Sequence, residues 1–279
     1  MRISEVFGYG IENNSDEAWT GRNNRHCPFR GSPCTKVSKK DPLGICSFSD
    51  GENAAAVCPS RFLEGRRIFT DAGRLAFGDG KKIAAFPEVR ILTIPGEAGK
   101  RDKKIGKVDF LLGRITDGQV DDFAALEVQS VYISGDSIRP NFREFIKGQG
   151  KSNTFVPEER RPDFRSSAQK RLVPQLQLKV PVFRRWGKKF FVVVDSMFFG
   201  ELPSFPTRTA SNSELTWLSY PITRNGMDYA MGEPQMVFSH WADVENALRE
   251  GQEPEPEEIL EELQAKLIDD KKPTPTFET

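Results

Sequence analysis

The sequence has no long apolar run, no cysteine after position 58 and no internal repeat. A membrane-spanning helix needs about 20 consecutive apolar residues, and the most apolar stretch, residues 190–199, contains Asp195. Residues 1–8 lack the apolar core of a secretory signal peptide. These absences argue against membrane insertion and export, so the expected location is the cytoplasm.

The chain also lacks a net charge, because 40 Lys/Arg balance 40 Asp/Glu over its 279 residues. The charges are unevenly placed. Residues 139–189 carry 14 Lys/Arg against 4 Asp/Glu, whereas residues 226–279 carry 4 against 14. A chain of this length can bury a sizeable core. The basic middle favours a polyanionic partner, with a solvated surface as the alternative.

All four cysteines fall within 32 residues, at Cys27, Cys34, Cys46 and Cys58. Prolines and glycines surround them, and this segment has too little apolar content for a core of its own. Two disulfides are the alternative, but disulfides suit a secreted chain. The sequence therefore predicts a Cys₄ site that holds a structural metal, and thiolate chemistry alone favours zinc.

Two short apolar strands each carry a carboxylate where packing would favour valine or leucine. Asp109 lies in Lys-Val-Asp-Phe-Leu-Leu, and Glu127 and Gln129 lie in Ala-Leu-Glu-Val-Gln-Ser-Val-Tyr-Ile. Because a strand alternates its faces, Glu127 and Gln129 are predicted to point to the same side. If the strands are neighbours, Asp109 joins them, and two close carboxylates are typical of an Mg²⁺ site. The alternative is a pair of acidic residues on solvated strand faces.

Helix and strand patterns predict the order helix, three strands, helix, strand. The predicted elements are a helix at 60–75 with Ser60 as its N-cap, strands at 88–94, 107–112 and 123–133, a helix at 166–185 and a strand at 189–194. Residues 135–162 are predicted to form a long irregular loop. Helices are also predicted at 241–248 and 257–267, the second as a packing or dimer helix. The predicted domains are 1–59, 60–225 and 226–279.

This order of elements, with Asp109 in the second strand and Glu127-Val128-Gln129 in the third, resembles the core of the PD-(D/E)xK nuclease superfamily. The cysteine segment makes the resemblance specific to one family within this superfamily. Cys-Pro-Phe, Cys-Thr-Lys, Gly-Ile-Cys-Ser and Val-Cys-Pro-Ser-Arg-Phe precede the carboxylates, and this combination is similar to the NotI-type restriction endonucleases. The expected fold class is α/β, an α+β mixed sheet with the Cys₄ segment in front of a restriction-endonuclease-like core.

The resemblance implies a homodimeric, Mg²⁺-dependent type II restriction endonuclease that cuts double-stranded DNA at a specific palindromic sequence. Asp109 and Glu127 would bind Mg²⁺, and Gln129 would stand where the superfamily usually has lysine. Glu88 would add a further acidic group, with an exposed carboxylate at the end of a strand as the alternative. The Cys₄ site would hold iron. A cognate DNA methyltransferase would belong to the same system without contacting the nuclease.

Arginines of the basic block are the predicted DNA contacts. Because arginine can donate two hydrogen bonds to guanine, they suit a GC-rich site. The candidates are Arg139, Arg143, Arg160, Arg161 and Arg165. Two other functions remain open. One is a repair or processing nuclease with the same core, and the other is a DNA-binding regulatory module that is stabilised by the Cys₄ metal and whose carboxylates are structural.

Overall fold

The protein is described from a computed structural model, which covers residues 1–38, 41–96, 103–134, 139–148, 161–249, 255–268 and 274–277. The chain has two compact units, Met1–Leu248 and Arg249–Thr279. The finer division at 59/60 and 225/226 stays a prediction. Within the residues that the structure covers, no helix has the length and apolar character needed to cross a membrane.

The N-terminal part forms a four-stranded antiparallel sheet in the order β2-β1-β7-β8. Its elements, with two small hairpins and one helix, are β1 (Arg2–Val6), β2 (Tyr9–Gly10), α1 (Asp16–Asn23), β3 (His26–Cys27), β4 (Ser32–Pro33), β5 (Val37–Ser38), β6 (Asp41–Pro42), β7 (Ile45–Ser49) and β8 (Ala54–Ala56). Ile3, Val6 and Phe48 are fully buried in the same apolar cluster as the main sheet. The cysteine segment therefore belongs to a part of the chain that shares the larger core.

The predicted helix at 60–75 is two elements. Pro59–Arg66 is a 3₁₀ helix, and α2 (Arg67–Phe77) follows it. Gly65 and Arg66 both have a φ of 57°, which interrupts a right-handed helix because that helix needs a negative φ. The prediction of Ser60 as the N-cap of one continuous helix was therefore wrong.

A six-stranded mixed sheet forms the centre of the larger unit, in the order β18-β15-β14-β11-β10-β9. The strands that follow α2 are β9 (Lys82–Ile94), β10 (Lys103–Thr116), β11 (Gln119–Val128), β12 (Tyr132–Ser134), β13 (Arg161–Asp163), β14 (Phe190–Asp195), β15 (Leu215–Tyr220), β16 (Ile222–Asn225), β17 (Asp228–Met231) and β18 (Gln235–Ser239). β11, β14 and β15 are parallel, and the other neighbours in the sheet are antiparallel. The mixed α/β class is confirmed.

The strand boundaries differ from the predicted ones. β9 and β10 are much longer than the predicted strands at 88–94 and 107–112, and they pair along most of their length. β11 ends at Val128, five residues before the predicted end at 133. β15 and β18 were not predicted, although they complete the sheet.

The remaining helices are α3 (Arg139–Lys147), α4 (Phe164–Ser167), a π-helical turn (Ala168–Leu172), α5 (Val173–Arg185), α6 (Ser196–Gly200), α7 (Trp241–Arg249) and α8 (Pro256–Leu267). α3 lies inside the region predicted to be an irregular loop, so that prediction was wrong for residues 139–147. Phe142 and Phe145 are buried, and their rings contact Phe7 and Trp19. The loop prediction for 149–160 falls outside the described residues.

Apolar layers cover both faces of the central sheet, which explains why residues 190–194 of β14 are all apolar. Phe191 and Val193 belong to the cluster that contains α2. Val192 and Val194 belong to the opposite cluster, which contains α5. Ala125 of β11 also lies on the α5 side, so strand alternation directs Glu127 toward α5.

Asp195 connects the end of β14 to the N-terminal sheet. One carboxylate oxygen accepts a hydrogen bond from the Phe198 backbone N–H at 2.8 Å and caps α6, and the other accepts from the Ala56 N–H at 3.0 Å. The residue is fully buried, and burial raises its pKa to about 7. A side chain used in this way is structural, since both oxygens are occupied.

Candidate active site

Asp109 and Glu127 meet where the β10–β11 ladder ends. The last paired residues are Phe110 and Leu126. Beyond them, the Asp109 backbone N–H donates to Glu127 Oε1 at 3.3 Å, and the Val128 N–H donates to Asp109 Oδ2 at 2.9 Å. Each carboxylate thus accepts a hydrogen bond from the backbone of the opposite strand. This exchange fixes both side chains at one point of the sheet.

Each of the two carboxylates keeps one oxygen outside these contacts. Asp109 Oδ1 and Glu127 Oε2 accept no hydrogen bond from any part of the chain that the structure describes. Oxygen pairs of this kind suit a hard divalent cation such as Mg²⁺, which takes one or two carboxylates and completes its shell with water and substrate phosphate. The residues present therefore fit the ion that the sequence predicted, although no cluster of three or more potential ligands occurs among the described residues.

Glu127 is strongly desolvated, with 3 % of its surface exposed. Burial and the nearby Asp109 charge raise the pKa of its carboxyl group to about 7, and Lys179 opposes the shift. The Lys179 Nζ donates to Glu127 Oε1 at 2.7 Å. A carboxyl group with this pKa is partly protonated near neutral pH. A cation placed beside it would favour the ionised form.

The raised pKa predicts how the stability of the metal-free protein depends on pH. Between pH 4.5 and about 7 the folded protein retains a proton on Glu127 that the unfolded chain releases. The free energy of unfolding should therefore fall by about 3 kcal/mol as pH rises through this window, and then level off. Urea unfolding of the metal-free protein at several pH values measures the slope. Glu127→Gln should reduce the slope without abolishing it, because the raised pKa of Asp195 acts in the same pH window, and an unchanged slope in that variant would contradict the assignment.

Gln129 lies one residue beyond the end of β11. Its side chain is 8 % exposed, and Nε2 donates to the Ser130 carbonyl at 2.6 Å. The Gln129 backbone N–H donates to Val193 O at 2.9 Å, which holds the residue beside β14. The amide oxygen makes no hydrogen bond within the described chain, so it can accept one from a water molecule.

Glu88 lies in β9, next to Asp109 by register. Val89 pairs with Val108 and Pro87 with Phe110, so Glu88 is the residue between these pairs and opposite Asp109. Its φ is 57°, a conformation that costs free energy in a residue other than glycine and often occurs at functional sites. The carboxylate is exposed and forms an ion pair with Lys107 Nζ at 2.7 Å. A role beside Asp109 stays a prediction.

The four cysteines are free thiols, and no disulfide joins them. Burial raises the pKa of Cys27, Cys34 and Cys46, and a charge on Cys58 also raises each of these three pKa values. Cys58 is therefore close to all the others. No three of them are arranged to bind a metal ion in the described structure.

Backbone N–H groups near three of the four cysteines favour the thiolate form of their side chains. The N–H groups of Phe29 and Arg30 lower the pKa of Cys27, that of Lys36 lowers the pKa of Cys34, and that of Gly8 lowers the pKa of Cys46, each against the larger effect of burial. Such donors stabilise the thiolate form. Thiolates are the form in which cysteine binds metals, so the donor set fits a thiolate metal site in its chemistry although not in its present spacing.

A model of the family described as Restriction endonuclease NotI matches residues 5–231. This span includes the four cysteines, Asp109, Glu127 and Gln129. The chain belongs to the NotI restriction endonuclease family. No curated protein matches it. Membership of the NotI family places the protein among enzymes that hydrolyse DNA, and it confirms the resemblance found in the sequence.

The predicted DNA contacts of this NotI-family chain lie on several elements. Arg139 and Arg143 lie on α3, Arg161 on β13 and Arg165 on α4; all four are exposed. Arg160 lies outside the described residues. α3 also borders a cavity of about 240 Å³, and four basic residues line it: Arg22, Arg25, Arg143 and Lys147. No acidic residue is among the described residues that line this cavity.

Sequence reasoning missed Lys179. It follows Leu176 by three residues and precedes Val180 and Phe183, so it lies on the buried side of α5. A lysine at such a position in an apolar helical pattern is unusual, because lysine is rarely fully buried without a partner. This pattern could have indicated that Lys179 is buried with a partner, but it does not identify Glu127 as that partner.

Proposed function

We propose that the protein is a type II restriction endonuclease that makes Mg²⁺-dependent double-strand cuts at a specific, palindromic and GC-rich DNA sequence. The observation that carries the proposal is the pair of carboxylates, Asp109 and Glu127, held by reciprocal cross-strand hydrogen bonds in a NotI-family chain. A solvated pair would not need such fixed geometry, and Glu127 is buried.

In this proposal Asp109 and Glu127 would hold Mg²⁺ through Oδ1 and Oε2, the oxygens that accept no hydrogen bond from the described residues. The bound ion would lower the pKa of a water molecule and neutralise charge on the scissile phosphate. Asp109 and Glu127 keep their positions through their other oxygens. Gln129 orients the attacking water with its free amide oxygen, since an amide is too weak a base to remove the proton. Proton removal would then rest on the chemistry that the ion supplies or on a DNA phosphate.

The four cysteines are proposed to hold a structural metal ion near the N-terminal sheet. The proposal is supported by the four-thiol donor set, the proximity of Cys58 to the other three and the backbone N–H groups that favour the thiolate form of three of them. Binding would require the thiols to come closer together and to lose their protons. The family resemblance points to iron, whereas ligand chemistry alone favours zinc.

The basic cavity beside α3 is proposed as a contact for the DNA backbone. Arg143 and Lys147 on α3, with Arg25 after α1, give the described lining of this cavity a positive charge. Such a surface suits phosphate, which supplies most of the affinity of a protein for DNA without reading its sequence. Arg139, Arg161 and Arg165 remain candidates for contacts to guanine.

Arg143→Ala should weaken binding to specific and unrelated duplexes to a similar extent. Because one phosphate contact is lost, the slope of log affinity against log salt concentration should decrease by about 1. Fluorescence anisotropy in Ca²⁺ over a range of NaCl concentrations measures both. Arg74→Ala is the matched control, since Arg74 is an exposed arginine on α2, which covers the opposite face of the sheet. Equal affinities of Arg143→Ala and wild type would contradict the contact.

A palindromic duplex cut on both strands requires two active sites related by two-fold symmetry, so we propose a homodimer. Sedimentation with and without a cognate duplex tests it. A monomer bound to cleavable DNA would contradict this part of the proposal.

The decisive experiment is digestion of long unmethylated DNA with the purified protein and Mg²⁺, followed by sequencing of the fragment ends. One recurrent palindromic sequence at all ends is the expected result. Cuts at branched or single-stranded DNA without a common sequence would favour a processing nuclease. Binding without any cutting would favour a regulatory module.

A further inference from the structure

The molecule buries a lysine against the proposed active site. The Lys179 side chain is 4 % exposed, and its Nζ lies 2.7 Å from Glu127 Oε1 and 2.9 Å from Gln175 Oε1. Leu176, Val180 and Phe183 around it on α5 are buried at 0–1 % exposure. Burial of a charged amine costs free energy unless it is paired.

Stability alone is a weak reason for this pair. Replacement of a buried ion pair by well-packed apolar residues of similar volume is often neutral or stabilising. A methionine at position 179 with an apolar residue at 127 would fill the same space. The ion pair therefore has to be explained by what Glu127 does, and Glu127 is one of the two carboxylates of the proposed metal site.

The ion pair also gives the two carboxylate oxygens of Glu127 different environments. Oε1 receives both the Lys179 ammonium and the Asp109 backbone N–H, whereas Oε2 makes no hydrogen bond in the described part of the chain. With Oε1 held from two directions, the carboxylate plane has little freedom to rotate. Among the described residues, Lys179 is the cation that is paired with either of the two carboxylates. Gln129, on the same segment as Glu127, is neutral.

We propose that Lys179 is a positioning residue of the nuclease site. It orients Glu127 by binding Oε1, keeps Oε2 directed at the cation and supplies the positive charge that Gln129 lacks. The inference rests on the proposed Mg²⁺-dependent cleavage, and it adds a residue on α5 to a site otherwise built from strands.

Lys179→Met tests the proposal, because methionine keeps the volume and flexibility of the stem and removes the charge. We expect kcat for cleavage of the cognate duplex to fall about 100-fold, as for a catalytic group displaced by about 1 Å. KM for DNA should stay within about threefold, since Lys179 is not expected to touch the duplex. Lys179→Arg restores the charge, so its kcat should be at least about tenfold higher than that of Lys179→Met. Lys170→Met removes an exposed lysine in the π-helical turn before α5 and should cleave like wild type.

A double-mutant cycle shows whether Lys179 acts through Glu127. In the Glu127→Gln background, adding Lys179→Met should lower the residual single-turnover rate by less than about threefold, because the group to be positioned is already gone. The melting temperature of the metal-free protein provides a readout independent of cleavage. Lys179→Met should lower it by about 10 °C by leaving Glu127 unpaired, and the double variant should regain most of that loss.

Gln175→Met keeps the test valid if Lys179→Met does not fold. Gln175 is exposed, and its loss leaves Lys179 with Glu127 as its single partner, so kcat should fall several-fold with an unchanged melting temperature. Wild-type kcat in Lys179→Met, or in Gln175→Met if Lys179→Met does not fold, would overturn the positioning role while leaving the proposed function intact. A loss in Lys179→Met that simply adds to that of Glu127→Gln would overturn it as well. Absence of any cleavage by the wild-type protein would overturn both.

Discussion

Asp109→Asn and Glu127→Gln should each lower kcat for Mg²⁺-dependent DNA cleavage by at least about a thousandfold. Both replacements preserve shape and can still accept the cross-strand N–H of Val128 or Asp109. What they remove is the negative charge that holds the cation. A metal ion contributes several kcal/mol to stabilising the transition state of a hydrolysis, and about 4 kcal/mol corresponds to a thousandfold in rate.

Single-turnover cleavage of a labelled duplex measures this effect, with DNA affinity measured separately in the absence of Mg²⁺. Asp121→Asn is the matched control, because Asp121 is an exposed carboxylate on the same strand as Glu127 and pairs with Arg114. Affinity for DNA should stay within a few-fold of wild type in all three variants. Undiminished cutting by Asp109→Asn or Glu127→Gln would remove that residue from the metal site.

Cys46→Ser should release a tightly bound metal ion and lower the melting temperature by more than about 10 °C. Structural zinc sites contribute about 10 kcal/mol or more to the folding of small domains. This contribution depends on the thiolates that bind the ion. Cys46 is buried in β7 beside the N-terminal core. The three cysteines that remain in Cys46→Ser would no longer hold the ion, and the buried side chains at the site would be left without partners.

Elemental analysis of the wild-type protein should find one metal ion per chain, and its identity separates iron from zinc. A strong chelator should reproduce the effect of Cys46→Ser in the wild type. Thr35→Ala is the control, since Thr35 is an exposed neighbour of Cys34 that carries no thiol. A wild-type protein that is fully folded with less than about a tenth of an ion per chain would contradict the Cys₄ metal site.

Part of the candidate site was predictable because strand adjacency follows from short-range chain geometry. The segments around Asp109 and Glu127 are joined by a tight turn at Asp117 and Gly118, both with positive φ. A register shift between Arg114 and Ile115 decides which residues lie opposite one another, but a hairpin of this kind pairs neighbouring strands, so the two segments that carry the carboxylates had to lie side by side. The antiparallel pairing of β10 with β11 bears out that step.

The same reasoning failed for features that depend on distant parts of the chain. The short apolar runs that became β15 and β18 could be assigned to the sheet only through pairing with β14 and with each other. α3 forms where Phe142 and Phe145 find Phe7 and Trp19, which lie more than a hundred residues earlier. Propensity within a window contains no information about such partners.

The sequence by itself determined the chemistry available to this protein: two carboxylates in adjacent strands, four clustered thiols, a basic middle segment and membership of the NotI family. Those properties depend on residue type and on local spacing, which the sequence states directly. The tertiary structure alone decided which groups touch. It brought Lys179 to 2.7 Å from Glu127 and turned Glu88 toward Lys107. It also left one oxygen each of Asp109 and Glu127 without a hydrogen bond from the described residues. Contacts of this kind arise when elements far apart in the chain pack on one sheet, because burial then forces charged groups to find partners.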